Sequence, residues 1–223
     1  MLEAFLRVNI AEFVVWYLAF LFSTTCHEAA HALFALRGGD RTAYLGGHVT
    51  LDPTPHIKRE PLGMVVVPIA GYLIGGGMIG WASVPVDPLW ARRHPGRAAL
   101  MSLAGPATNF LLALIALIVL KVLRSQGVFD GVAPSSVMGA VRMLLRAMLE
   151  LNILLGIFNL IPFPPLDGAG VAEGLAPRTL GSFYDRLRET PMLGLLGVIV
   201  IARFVLWPLA EPVLKQAYRI INA

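Results

Sequence analysis

The sequence predicts an all-α polytopic membrane protein of about five to six transmembrane helices with a small β-hairpin at the membrane surface. Three observations carry that expectation. Of the 223 residues, 57% are hydrophobic and only 14% charged, against about 25% charged in a soluble domain, and the mean hydropathy is +0.70. Apolar runs recur at about 10–36, 62–82, 98–123, 138–162 and 191–213, most of them near the ~20 residues a helix needs to cross the hydrocarbon layer. Between the first two runs, two short segments flank Gly46-Gly47, a hairpin turn signal. No composition break, repeat or low-complexity tract divides the chain, so residues 1–223 read as one membrane domain.

Taken in order, the first run is too long for a signal peptide and lacks a small-residue cleavage site, so it is expected to stay as the first span. It closes on "STTCHEAAHALFALRGG", Ser23 to Gly39, which sets two histidines and a glutamate where hydrocarbon is expected. The connection Gly38 to Gly63 places short runs at Thr42–Leu45 and His48–Leu51, giving a hairpin over about 40–56 that ends at "DPTP". Its open edge could take up an extended peptide, or it could simply lid the helices; both readings stand. The second run holds five glycines between Gly71 and Trp81, suiting close helix approach or a bend beside a cavity. The third carries "LAGPATNF", with Gly105, Pro106 and Asn109 within about one turn, and an asparagine at that depth needs a partner. In the fourth, Arg142, Arg146 and Glu150 recur every four residues. Its first turns belong at the interface or against other helices, with Arg146 and Glu150 close enough to pair.

Charge narrows the function classes. The net charge of +4 comes from Lys and Arg scattered over loops rather than gathered in a patch, which favours lipid headgroups over nucleic acid. Their distribution leaves orientation open. One cysteine, Cys26, rules out a disulfide framework and a multi-cysteine metal site. Beside His27 it reads as a small buried side chain.

The chemistry sits in His27-Glu28-Ala29-Ala30-His31. On a helix, the i, i+4 spacing puts both imidazoles on one face, where two neutral nitrogens can bind one Zn²⁺ at ~2.0–2.1 Å. Glu28 can then reach a water at the metal as general base without being a ligand. Three ionisable groups in an apolar helix cost several kcal/mol unless a metal, a wet cavity or a partner compensates. A catalytic zinc needs a third protein ligand. His48, His56 and His94 fall in connections and are expected at the surface or interface. Asp167 is the better candidate. It ends "FNLIPFPPLDGAG" (Phe158 to Gly170), where three prolines prevent ordinary helix and Gly168 permits a tight turn. Asn159, just ahead of that break, has an amide able to donate to an oxyanion, or to act as helix–helix glue; Asn109 and Asn152 read as glue. The metal-site segments are therefore about 23–36 and 158–170.

The combination of HEAAH, "GDRTAYLGGHVTLDPTPHI", "LAGPATNF" and "NLIPFPPLDG" resembles the site-2 protease family of intramembrane zinc metalloproteases in its compact form, over about residues 20 to 175. The resemblance implies one Zn²⁺ bound by His27, His31 and Asp167, catalysis by Glu28, and Asn159 assisting the transition state. It implies a multi-pass protein of the cell membrane that cuts membrane-spanning substrates within or near the bilayer, often to release a regulator, with the zinc towards the cytosolic face. Neither the PDZ nor the CBS domains of some relatives are expected within these 223 residues. The competing reading is a non-catalytic metal-binding membrane protein or transporter. Substrate identity and oligomeric state stay open.

Overall fold

Asn9 starts the first helix by accepting hydrogen bonds from the amides of Ala11 and Glu12 at 3.1 and 3.2 Å, satisfying two of the amides a helix start leaves unpaired. That helix, α1 (Ile10–Gly38), runs 29 residues before Gly39 closes it in the left-handed conformation. The computed structural model describes residues 9–74 and 77–223. Its elements after α1 are α2 (Thr42–Leu45), α3 (Thr54–Arg59), a π-turn at Leu62–Val66 leading into α4 (Val67–Leu73), α5 (Pro88–Arg93), α6 (Pro95–Ser125) and α7 (Val137–Asn159). Then come α8 (Asp167–Leu175), α9 (Pro177–Arg188), α10 (Pro191–Val200), a second π-turn at Ile201–Val205 and α11 (Leu206–Asn222). Helix α6 is the central element: α1 and α7 pack along it, and α8 docks on its first turns.

The expected count of five to six spans is corrected. Among the described residues three helices are long and apolar enough to cross a membrane: Ile10–Gly38, Pro95–Ser125 and Met192–Asn222. The second apolar run fails on length. Its helix covers only Leu62–Leu73, about 18 Å at 1.5 Å per residue against ~30 Å of hydrocarbon. The chain then turns back, and the Trp81 amide donates to the carbonyl of Gly63 at 3.2 Å. The fourth run does form a 23-residue helix, α7, but Arg142, Arg146 and Glu150 keep it out of the apolar class. Glu150 accepts a hydrogen bond from the Tyr218 hydroxyl of α11 rather than pairing with Arg146, and Arg142 lies over the ring of Phe129 at 5.8 Å.

The β-hairpin over 40–56 is also corrected: the described residues contain no strand. Asp40 explains the difference. Its Oδ1 accepts from the Thr42 amide at 2.9 Å and the Thr42 hydroxyl at 2.6 Å, which starts a helical turn where the first strand was expected. Of the two turn glycines only Gly47 has positive φ, +74°, whereas the favoured two-residue hairpin turn of this kind needs it at both. Asp52 then accepts from the Thr54 amide at 2.9 Å and starts α3. Burial would raise the Asp40 carboxyl, but the bonds from Thr42 and from the Asp87 amide, the latter at 2.9 Å, hold it below the usual carboxylate range.

Candidate metal centre

Local structure sets the first part of the site. Because α1 is unbroken helix through residues 27–31, His27 and His31 stack one turn apart, with Nε2 atoms 2.9 Å from each other. Both side chains and Glu28 are buried, at 6, 5 and 4% exposure. His27, Glu28 and His31 offer ligand atoms within 4.8 Å of one another.

The second part arrives from the far end of the chain. Helix α7 stops at Asn159, and the proline-rich stretch runs as turns until Asp167 opens α8. Gly168 lies so tightly over the end of α7 that a Cβ there would stand 2.3 Å from the Leu160 carbonyl oxygen. Gly170 and Gly174 face α6, where a Cβ would meet Ser102 Oγ at 2.3 Å and Ala99 Cβ at 2.4 Å respectively. Two glycines four residues apart thus let α8 sit against α6 at backbone distance. From outside, α9 holds the segment: the Tyr184 hydroxyl donates to the Pro162 carbonyl at 3.0 Å, and Arg188 pairs with Glu173 at 2.6 Å. Asp167 is thereby brought to both histidines, with Oδ2 3.0 Å from His27 Nε2 and Oδ1 3.3 Å from His31 Nε2.

Hydrogen-bond direction shows what this cluster asks for. His31 Nδ1 lies 2.7 Å from the Met101 carbonyl oxygen, and His27 Nδ1 lies 2.6 Å from Asn109 Oδ1. Both neighbours are acceptors, so each imidazole carries its hydrogen on Nδ1 and turns the lone pair of Nε2 inward. Two lone pairs and a carboxylate then converge in a buried space with no hydrogen among them, and Asp167 Oδ2 is buried without a hydrogen-bond partner. Such an arrangement is repulsive unless a cation sits within it. The edges of 2.9, 3.0 and 3.3 Å suit one ion, since bonds of ~2.0–2.1 Å at the tetrahedral angle separate ligand atoms by roughly 3.3 Å. Gly105 supplies a second sign. A Cβ at that position would stand 2.4 Å from His31 Nε2 and 2.5 Å from His27 Nε2, in the space an ion would take. The residues present therefore fit Zn²⁺, and His27, His31 and Asp167 can hold it.

The other candidate residues make contacts outside this cluster. Asn159, at the last position of α7, donates its amide to the Leu155 carbonyl of its own helix at 3.1 Å, so one amide hydrogen is left for another partner. His48 and His56, expected at the surface, are buried at 6 and 0% exposure with rings 5.2 Å apart. The short helices at Thr42–Leu45 and Thr54–Arg59, with the turns between them, leave both inside, and burial, with His56 and Arg59 nearby, pushes the His48 pKa down. His94 stays half-buried against the Trp90 carbonyl. Cys26 is buried, as expected. Gly105 and the Gly170/Gly174 pair were missed as site-forming residues. The four-residue spacing of the pair was the available signal; for Gly105 there was none, because its importance lies in what faces it.

A buried imidazole pair and a carboxylate, shaped for zinc and carried by membrane-type helices, define a membrane zinc metallopeptidase, and the comparisons with known proteins agree. The profile of peptidase family M50 matches residues 15–201, and the chain belongs to that family, the site-2 proteases. "Putative zinc metalloprotease YwhC" of Bacillus subtilis is 32% identical over 190 residues, 84% of this chain and 81% of that protein. "Putative zinc metalloprotease Rip2" of Mycobacterium tuberculosis is 33% identical over 168 residues, 75% of this chain and 60% of that protein. The chain thus spans most of the first relative and about three fifths of the second. No solved structure matches.

Proposed function

We propose that the chain hydrolyses a peptide bond in or near the transmembrane segment of a membrane-protein substrate, as a multi-pass protein of the cell membrane, in regulated intramembrane proteolysis. In this reading His27, His31 and Asp167 hold the zinc, Glu28 is the general base and Asn159 assists the oxyanion. The observation that carries it is the convergence of four inward-facing acceptor atoms, the two imidazole Nε2 and the two oxygens of Asp167, with separations of 2.9, 3.0 and 3.3 Å between the side chains, buried between apolar helices.

A zinc ion held there lowers the pKa of water and polarises a carbonyl. The chain's own residues do the rest. Glu28, buried beside the imidazoles without being needed as a ligand, takes a proton from the attacking water and returns it to the leaving amine. The Asn159 amide keeps one hydrogen free of Leu155, and that hydrogen can be given to the substrate oxygen as it gains charge. A transmembrane helix satisfies its own backbone bonds, so the substrate must unwind before its carbonyl can enter. Helix-breaking residues near the cleaved bond should therefore speed the reaction.

The test is purified protein in lipid, assayed for bound zinc and for cleavage of a model membrane substrate, alongside Glu28→Gln. We expect the variant to keep one zinc per chain and to lose about 10²–10⁴-fold in rate. Full activity in Glu28→Gln would remove it from the mechanism. Zinc binding with no cleavage by the wild type would favour the non-catalytic reading.

A further inference from the structure

We propose that Asn152, which touches none of the metal-binding atoms, positions His27 for the metal through a directed chain of hydrogen bonds anchored on the main-chain carbonyl of Met148. The proposal rests on His27 being a zinc ligand, as argued above. Ser23, Asn109 and Asn152 are each fully buried, and they come from three helices, α1, α6 and α7.

The direction of the chain follows from one atom that cannot change role. A backbone carbonyl only accepts, so the Asn152 atom 2.7 Å from the Met148 oxygen is its NH₂ nitrogen. The second hydrogen of that NH₂ goes to Ser23 Oγ at 2.8 Å. Asn152 is left with its oxygen, which accepts from Asn109 Nδ2 at 2.8 Å. Asn109 must then present its own oxygen to His27 Nδ1, 2.6 Å away, and His27 must carry its hydrogen there. Its Nε2 lone pair is thereby held towards His31 and Asp167. Turning either amide over would set like groups against each other in a dry interior, which leaves buried polar atoms unpaired. A carbonyl in the middle of α7 thus sets which nitrogen of a histidine on α1 faces the metal. His31 needs no such chain, because the Met101 carbonyl meets its Nδ1 directly at 2.7 Å.

The experiment measures zinc dissociation constants by chelator competition on the purified full chain, with thermal unfolding of the zinc-free protein as the folding control. Asn152→Leu and Asn109→Leu should each weaken zinc about 10–100-fold, the usual cost of losing a partner behind a metal ligand. The double variant should be no weaker than Asn109→Leu alone, because Asn152 acts only through Asn109. Ser23→Ala should leave the constant within about twofold, since the Met148 carbonyl still orients the amide. Should Asn152→Leu fail to fold, ¹⁵N spectra of histidine-labelled, zinc-loaded wild-type protein test the same point: His27 should carry its hydrogen on Nδ1 and bind the metal through Nε2. If His27→Ala binds zinc as the wild type does, the metal-site reading falls. Loss of zinc in His27→Ala with wild-type affinity in Asn152→Leu would overturn only the chain. Additive weakening in the double variant, or a zinc-loaded wild type in which His27 binds the metal through Nδ1, would overturn it too.

Discussion

On α6 one turn separates Asn109 from Ala113, and on α7 Asn152 and Ile153 are neighbours, yet these residues belong to two unlike cores. On one side, Ser23, His27, Asn109 and Asn152 are buried and joined by directed hydrogen bonds of 2.6–2.8 Å. On the other, Ala113, Ala116 and Leu120 of α6 pack with Leu149 and Ile153 of α7 and Ala210, Leu214, Ala217 and Ile221 of α11. The apolar core depends on volume, and small alanines let the helices approach. In the polar core, each group has one acceptable partner in one orientation. The two cores should therefore respond differently to substitution: the polar one by losing the metal while still folded, the apolar one by losing stability with the metal site intact.

Gly105→Ala is the sharpest way to test that contrast. One methyl group placed 2.4–2.5 Å from both Nε2 atoms should abolish stoichiometric zinc binding and proteolysis, while circular dichroism shows unchanged helix content. Retained zinc would mean that the ion sits outside the space between the two imidazoles and Asp167. Asp167→Asn should come next, keeping the shape but removing the charge. Its zinc constant should weaken by more than the roughly 10–100-fold that loss of an outer partner costs, measured by the same chelator competition.

Leu149→Ala probes the other core. With Leu149 only 1% exposed, truncation should cost about 2–4 kcal/mol of stability in denaturant unfolding, with zinc affinity within about twofold. A large loss of zinc here would show that the two cores are coupled. The smallest effect belongs to the connection after α1. Because burial lowers the pKa of His48 from 6.5, the unfolded segment binds the proton more readily than the folded one. The stability this adds is complete above about pH 6.5 and is lost as pH falls from there towards the folded-state value. Hydrogen-exchange protection in residues 42–59, corrected for the intrinsic exchange rate at each pH, should fall on mild acidification, and His48→Gln should flatten that response.

Much of the site could be read from the sequence because its parts are local. The i, i+4 spacing of His27 and His31 holds on any helix, and three prolines before Asp167 break any helix, so both survive translation into three dimensions. The hairpin reading failed for an equally physical reason. Gly46-Gly47 signals a turn in either secondary structure, and the side chain of Asp40, by capping Thr42, settled it as helical. Counting spans by hydropathy alone treated about 62–82 as one span, although the Trp81 amide returns to the carbonyl of Gly63.

What the sequence by itself determined was a chain of membrane-type helices with a candidate metal-binding helix near its start, since apolar run length and side-chain spacing along one helix need no neighbours, while the likeness of its motifs gave the site-2 protease family. Only the tertiary structure decided that α8 closes on α6 through Gly170 and Gly174, that Gly105 leaves the space between the imidazoles, and that His48 and His56 turn inward. Those outcomes depend on which surfaces face each other across the bundle. A buried polar group finds its partner by that packing, and sequence distance says nothing of it.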